Sequence, residues 1–339
     1  MPAAYGYLNA RVRGLRAKLL PPGFMAEQLD AAGFAGFTSA LSQTAYGRDL
    51  DEAQATGERD GLATVDAAIA RGFVRTTRAL LDYADGAPRD LIALLLRRYD
   101  LANLKAVVRA RHAGRGADEV MNAVLPAGDL SERTLRGMAE ATDLAAAGQV
   151  LALSGHPLAE AFRKGVAGYL ADGGDLLAFE VGLDRAFYAR WSADAARLPA
   201  PEAFRAYVAA EVDATNVRTA LKLRGRALDV TRFFVPGGRM VAASTFLELA
   251  TQPIGTPLPA LRGPFAALAD ASGMSEVDER LRGVLDQQAR RLGHDPLDIG
   301  LVVDYLRRKE QEAARLRLIA RGTFYGVPRA ALAKELGDA

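Results

Sequence analysis

The stretch DLANLKAVVRARHAG, residues 100–114, decides the fold because a related stretch occurs twice more along the chain. The second is DATNVRTALKLRG, residues 213–225, and the third is EAARLRLIARG, residues 312–322. Each copy holds an acid, a polar residue three places later, an apolar residue directly after it, two bases four places apart and a terminal glycine. Self-similarity over a long period indicates a fold assembled from related units.

The aligned side chains share one helical geometry. Residues four places apart lie on the same helix face, so the two bases of a copy project in one direction. The acids Asp100, Asp213 and Glu312 are expected near the start of their helices, where they offset the N-terminal dipole. The candidates for contact with a partner are the polar and basic residues of the copies. They are Asn103, Lys105 and Arg109; Asn216, Arg218 and Lys222; and Arg315, Arg317 and Arg321.

Two interpretations fit the basic faces. A single copy fits a solvated helix face that carries intrahelical ion pairs. Three copies roughly 100 residues apart are too widely spaced for the common helical solenoids, and they predict three similar all-α domains in a pseudo-threefold arrangement. The boundaries are placed at residues 1–120, 121–230 and 231–339. In this second interpretation the three basic helices face a shared axis or surface.

Helical periodicity dominates the rest of the sequence. A helix is predicted over Pro88–Tyr99, and Asp100 is predicted to cap the next one, which Gly114 ends. Gly225 and Gly322 are predicted stops in the other copies. Strand patterns are nearly absent, and the short candidate Phe233–Val235 is better interpreted as an extended loop. The following proline-rich segment, 235–274, is predicted to hold loops with one or two short helices.

Composition excludes several classes of protein. Of 339 residues, 50% are apolar and 25% charged, so a packed core is expected. The net charge of +2 disfavours a dedicated nucleic-acid binder. Without cysteine there is no disulfide, thiolate nucleophile or Cys-ligated metal. The uncharged run 144–159 is interrupted by glycine and proline and is too short to span a bilayer, so membrane association is expected only through a partner.

No catalytic, cofactor or metal site is predicted. The sequence lacks phosphate-loop, dinucleotide-binding, nucleophile-elbow and metal-ligand spacings, and its three histidines are scattered. The aromatic residues Phe187, Tyr188 and Trp191 fall at helical spacing, which is typical of core packing. We interpret the segment 236–239, PGGR, as a plain turn, with an anion-binding nest as the alternative.

Four segments carry a resemblance to a known family. They are YGYLNARVR (5–13), LLLRRYDLANLKAVVRA (94–110), YVAAEVDATNVRTALKLRG (207–225) and DPLDIGLVVDYLRRKEQEAARLRLIARGTFYGVP (295–328). In their order and spacing they resemble the C subunit of bacterial and archaeal V-type or A-type rotary ATPases, whose eukaryotic counterpart is the d subunit. One departure is Arg315, which stands where the first two copies have Asn103 and Asn216.

The resemblance implies three helical domains in a funnel and a non-catalytic role. A subunit of this kind lies on the cytoplasmic face of the membrane proteolipid ring, without a transmembrane segment of its own. It receives the central shaft subunits and transmits torque for ATP-coupled proton or sodium transport. The alternatives are a helical nucleic-acid-binding or scaffold protein that uses the three basic faces, and a helical enzyme with acids on facing helices.

Overall fold

The protein, seen in a computed structural model, is helical throughout the part that the structure describes, residues 3–30, 33–55, 61–171, 173–259, 261–271 and 273–337. No β-strand occurs in these ranges, which confirms the all-α class. The α-helices are α1 Ala3–Arg16, α2 Phe24–Leu29, α3 Gly33–Ser42, α4 Gly47–Ala55, α5 Gly61–Asp82, α6 Gly86–His112, α7 Ala117–Ala123, α8 Glu132–Glu140, α9 Leu144–Leu153, α10 Ala159–Ala171, α11 Leu176–Arg197, α12 Glu202–Leu223, α13 Ala243–Thr251, α14 Met274–Leu292, α15 Gly300–Phe324 and α16 Arg329–Leu336. Short 3-10 helices cover Val230–Phe233 and Gly263–Leu268.

The chain divides into two compact units. Unit 1 combines Met1–Ala84 with Val302–Ala339, and unit 2 is the continuous stretch Asp85–Leu301. The first two repeat helices, α6 and α12, belong to unit 2, whereas nearly all of the third, α15, belongs to unit 1. The three-domain arrangement stays a prediction.

Unit 1 is built around long helices with one apolar face each. On α5, Val65, Ile69 and Phe73 recur at four-residue intervals and are all buried, as the helical period requires. The interior also takes Leu8 from α1 and Leu316 from α15, both fully buried. Wherever such a side chain leaves water, apolar burial contributes roughly 25 cal/mol per Å², and this burial fixes which helix faces point inward.

Unit 2 contains two repeat helices with their own neighbours. Helix α6 packs against α7, α8 and α11, and α12 packs against α11, α13 and α14. The predicted aromatic core is confirmed for Phe187 and Trp191, which are buried and stacked at 5.8 Å between ring centroids. The indole N–H of Trp191 donates to the carbonyl of Leu94 at 2.7 Å, which ties α11 to α6.

Two predicted helix boundaries are wrong. Asp100 does not cap a helix, because Pro88–Tyr99 and the following segment form the single helix α6, in whose middle Asp100 lies buried. Gly322 does not end α15, which continues to Phe324; a Cβ at Gly322 would lie 2.3 Å from a methyl carbon of Leu332, so glycine lets α16 approach. These residues therefore serve packing inside their units.

Other boundaries follow the sequence. Gly114 and Gly225 each follow the C-cap residue of α6 or α12, with φ of +68° and +72°, the left-handed conformation that ends many helices. Segment 235–274 contains the short α13 and a 3-10 helix among loops, as predicted. Within the described ranges, no helix combines the length and the apolar character that a bilayer crossing needs.

Candidate functional site

The first repeat helix binds a loop through two buried polar side chains. The carboxylate of Asp100 accepts hydrogen bonds from the N–H groups of Asp129 at 2.9 Å and Leu130 at 3.0 Å. The amide of Asn103 accepts from the N–H of Leu125 and donates to the carbonyl of the same residue, both at 2.7 Å. The buried side chains of Asp100 and Asn103 are thus satisfied by backbone groups of this loop.

The second repeat helix repeats this arrangement. Asn216 donates to the carbonyl of Val235 at 2.9 Å and accepts from its N–H at 3.0 Å. Asp213 accepts from three successive N–H groups, each at 2.9 Å. The donors are Arg239, Met240 and Val241. We call this combination of acid, asparagine and bound loop the clamp.

The third repeat helix carries a modified clamp. Glu312 accepts the N–H of Leu20 at 2.6 Å, the hydroxyl of Tyr46 at 2.8 Å and the ammonium of Lys309 at 2.7 Å. Burial, and next the negative charge of Glu312, raise the pKa of Tyr46 far above its ordinary value, so Tyr46 stays a donor. Arg315 takes no part in this group, and its guanidinium lies 3.5 Å from the carbonyl of Leu336.

The three bound loops share a sequence of their own, outside the repeat helices. Residues 20–25 read LPPGFM, residues 125–130 read LPAGDL and residues 235–240 read VPGGRM. Proline holds the preceding residue extended, so its N–H and carbonyl remain available to the clamp. Glycine is required by space in two of the loops: a Cβ at Gly128 would lie 2.3 Å from Asp100, and one at Gly238 would lie 2.0 Å from Asp213. A Cβ at Gly23 would meet only Glu27, at 3.6 Å.

The segment 236–239 is therefore not a plain turn. Its backbone, with the next two residues, surrounds an anion, as the nest alternative requires, and the anion is the chain's own Asp213. Burial raises the pKa of Asp213, and the three N–H donors oppose that rise. The acids of the repeat, for which the sequence predicts only a dipole role, are thus the centre of each clamp.

The basic residues of the first copy pair with acids of a neighbouring helix. Lys105 contacts Asp184 on α11, and Arg109 contacts Glu180, one turn earlier on α11, at 2.5 Å. Burial raises the pKa of Asp184, and the Lys105 ammonium counteracts it. The two bases therefore join α6 to α11.

The second and third copies use their bases in the same way. Arg218 on α12 lies 2.5 Å from Asp278 on α14. On α15, Arg317 and Arg321 lie 3.8 Å and 3.4 Å from Asp66, which belongs to α5. The matching position of the second copy, Lys222, is exposed. Each repeat helix is thus linked by charge to one long helix of its own unit.

The nine predicted contact residues therefore fall into two groups. Asn103 and Asn216 are buried, with their amide groups engaged by the loops, so the structure places them inside unit 2. The other seven are basic, and four of them are exposed: Arg109, Lys222, Arg315 and Arg321. Contact with a partner stays a prediction for all seven basic residues.

No side-chain group in the described ranges offers three or more metal-ligating residues in one place. The buried polar groups described above have partners within the chain. What the arrangement does physically is to hold loops and helices in one fixed relation inside each unit.

These features define an all-α protein with a repeated clamp between helix and loop. A family model described as "ATP synthase (C/AC39) subunit" matches residues 8–335 of the chain. Because the match covers nearly all of the described residues, the chain belongs to the ATP synthase (C/AC39) subunit family. The resemblance noted in the sequence is thereby confirmed.

Individual relatives agree with this assignment. The chain is 40% identical over 333 residues to the C subunit of the V-type ATP synthase of Thermus thermophilus, covering 98% of each chain. It is 35% identical over 337 residues to the subunit of that name from Deinococcus radiodurans, covering 99% of this chain and 92% of the relative. The C subunit of the A-type ATP synthase of Haloferax volcanii is 29% identical over 344 residues, with 97% and 96% covered.

Proposed function

We propose that the chain is a non-catalytic rotor subunit of a V-type ATPase or ATP synthase. In this role it joins the central shaft to the membrane proteolipid ring, on the cytoplasmic face, and transmits torque for ATP-coupled proton or sodium transport. Membership of the ATP synthase (C/AC39) subunit family supports the proposal. So do the relatives named as C subunits of V-type ATP synthases, which match over nearly their whole length.

The clamp is the observation that best supports a role in transmitting torque. A torque-bearing piece must resist deformation, and close-packed helices deform little. Loops are ordinarily the softer parts of such a body. Here the loops at 125–130 and 235–240 are held to long helices by buried carboxylates. Hydrogen bonds to a charged group contribute about 1.5–3 kcal/mol each, so the clamps stiffen the joints that would yield first.

The ion pairs weigh against the nucleic-acid alternative. A basic helix that binds phosphates needs cations available to solvent. Here Lys105, Arg218 and Arg317 lie against Asp184, Asp278 and Asp66 instead. Five of the seven basic residues thus pair with an acid of a neighbouring helix, which is consistent with a rigid coupling piece.

The experiment is reconstitution of the rotary complex with and without this chain. Without it, we expect ATP hydrolysis by the catalytic head to persist, because those sites lie on other subunits. Ion transport should be lost, and an inhibitor that blocks the ring should no longer slow hydrolysis. Inhibitor-sensitive ion transport at the full rate in the absence of the chain would contradict the proposal.

A further inference from the structure

A cavity in unit 2 has the composition of a ligand site. It lies beside the C-terminal end of α12 and the start of α14 and has a volume of about 430 Å³. Its walls are mainly apolar and include Leu221, Leu258 and Val277. Ligand pockets are typically about 300–1,000 Å³, with apolar walls and a few placed polar groups.

The placed polar group is Arg224, which is only 8% exposed and lines the cavity. Its Nε donates to the carbonyl of Leu249 at 2.9 Å, one Nη donates to the carbonyl of Thr256 at 2.6 Å, and the other donates to Oε1 of Gln252 at 2.9 Å. All three acceptors are neutral. Among the described residues no carboxylate pairs with this guanidinium, in contrast to five of the seven bases of the repeat.

A buried cation without a counter-ion is unusual. Burial disfavours the charged form, and burial alone lowers the pKa of Arg224 from its ordinary value. A guanidinium has five N–H donors, and three are used by the neutral acceptors, so donors remain for a further group. An anion in the cavity would supply the missing charge.

We propose that this cavity binds a single-chain amphiphile with an anionic head group, a carboxylate or a phosphate, next to Arg224. The alkyl chain lies along Leu221, Leu258 and Val277, and Ile254, which is 79% exposed, flanks the cavity where the chain would leave it. Asp270 also lines the cavity, and its negative charge disfavours a head group on its side. The ligand is therefore oriented with its head at Arg224.

The test is calorimetric titration of the full chain with dodecyl phosphate, dodecanoate, dodecanol and inorganic phosphate, with the two anionic amphiphiles below their micelle concentrations and dodecanol below its solubility limit. We expect the two anionic amphiphiles to bind with one site, at least about tenfold tighter than dodecanol or inorganic phosphate, a difference of about 1.4 kcal/mol. Equal binding of dodecanol would remove the role of Arg224 and overturn the proposal. Equal binding of inorganic phosphate would remove the role of the apolar wall and overturn it too.

A vesicle arm separates a free amphiphile from a bilayer lipid. In sedimentation with vesicles, the chain should bind phosphatidylglycerol no better than phosphatidylcholine through Arg224. Any preference for the anionic vesicles should therefore be the same in Arg224→Gln. Binding to anionic vesicles without binding of dodecyl phosphate would overturn the proposal in favour of a membrane-surface contact.

Two variants move the affinity in opposite directions. Arg224→Gln keeps a donor for the neighbouring carbonyls but removes the charge, and should weaken dodecyl phosphate binding at least about tenfold. Asp270→Asn should strengthen dodecyl phosphate binding, because it removes from the cavity a negative charge that repels the phosphate. Asp270 has φ of +63°, a conformation that asparagine also adopts, so this variant tests the proposal even if Arg224→Gln fails to fold. Unchanged affinity in Asp270→Asn would overturn it.

Discussion

Glu312 accepts a 2.6 Å hydrogen bond from the backbone N–H of Leu20, a residue 292 positions earlier in the chain. In unit 2 the corresponding N–H is held by an asparagine, Asn103 or Asn216. The third copy has Arg315 at that position, and arginine has no acceptor group. Glu312 therefore reaches the residue before the proline itself. The departure noted in the sequence is compensated within unit 1 by the longer acidic side chain.

Removing the charge of Glu312 is expected to destabilise unit 1. In Glu312→Gln the buried Lys309 loses its anionic partner, and breaking a buried ion pair costs about 3–5 kcal/mol. Urea unfolding followed by circular dichroism measures the change. The matched control is Glu335→Gln, at an exposed residue on α16 of the same unit, which should change stability by less than about 0.5 kcal/mol. Equal effects of the two variants would show that the carboxylate is not needed for the clamp.

The glycine in the clamp of α12 is expected to be sterically required. In Gly238→Ala the new Cβ would lie 2.0 Å from Asp213, so the carboxylate must move away from its N–H donors. Leaving buried donors unsatisfied costs about 1–3 kcal/mol each. Gly182→Ala on α11 is the control, since a Cβ there meets nothing within 4 Å. In a helix interior that change should stabilise by about 0.5–1 kcal/mol. Thermal unfolding that shifts the same way in both variants would contradict the steric argument.

Alkaline pH is expected to destabilise the chain through its buried tyrosines. Burial raises the pKa of Tyr188 and of Tyr305 from 10.0 to about 12. Between these values the unfolded chain has lost the phenolic proton while the folded chain retains it. The stability contributed by this shift is therefore complete below pH 10 and is lost as the pH rises through 12, by about 1.4 kcal/mol per pKa unit for each group.

Urea midpoints across that pH window, with the tyrosinate absorbance recorded in parallel, test this expectation. Tyr305→Phe should reduce the slope of stability against pH, whereas Tyr325→Phe, at a ring that is 71% exposed, should leave it unchanged. A slope that Tyr305→Phe does not reduce would assign the alkaline loss to other groups.

The ion pair between Arg218 and Asp278 is expected to stabilise the isolated chain, whereas the nearby base Lys222 is not. The two side chains are about one-third exposed, so a double-mutant cycle through alanine should give a coupling energy of about 0.5–1 kcal/mol. Lys222→Ala should leave the stability of the isolated chain unchanged because Lys222 is exposed. A cycle with zero coupling would show that the pair does not join α12 to α14.

Attachment to the rotary complex is the second readout for these bases. If Lys222 contacts a partner, Lys222→Glu should weaken attachment in a salt-sensitive manner while stability stays the same. Arg218→Glu together with Lys222→Glu should weaken attachment further. Arg218→Ala is the control, because it removes the internal pair with Asp278 without adding a negative charge. Salt-independent attachment of the doubly reversed chain would remove these residues from the interface.

The sequence was sufficient for the helical class, for the existence of the repeat helices and for the aromatic core, because 3.6-residue periodicity acts locally. Glycine marked the helix ends at Gly114 and Gly225 but not at Gly322. The sequence was not sufficient for the clamps. From the sequence, Asp100 and Asp213 are best interpreted as acids at helix starts, because a carboxylate buried in the middle of a helix is unfavourable without hydrogen-bond donors. The loop that supplies those donors is known only from the structure. The loop motif follows its repeat helix in two copies but precedes it in the third. Aligning the three copies along the chain therefore does not bring the three motifs together. The ion pairs could not be predicted either, because that requires knowing which helix lies beside the repeat helix, and the residue spacing within one helix does not show this.

Unit 1 also imposes an order on synthesis. Its two segments, Met1–Ala84 and Val302–Ala339, lie on either side of unit 2 along the chain. A ribosome therefore delivers the whole of unit 2 before Glu312 and Leu316 exist. Until then α1, α3 and α5 lack their contacts with α15, which include Arg16 with Asp304, Phe34 with Phe324 and Asp66 with Arg317. The N-terminal segment therefore cannot complete its unit until synthesis is nearly finished, and a chain that terminates before α15 leaves unit 1 without one of its long helices.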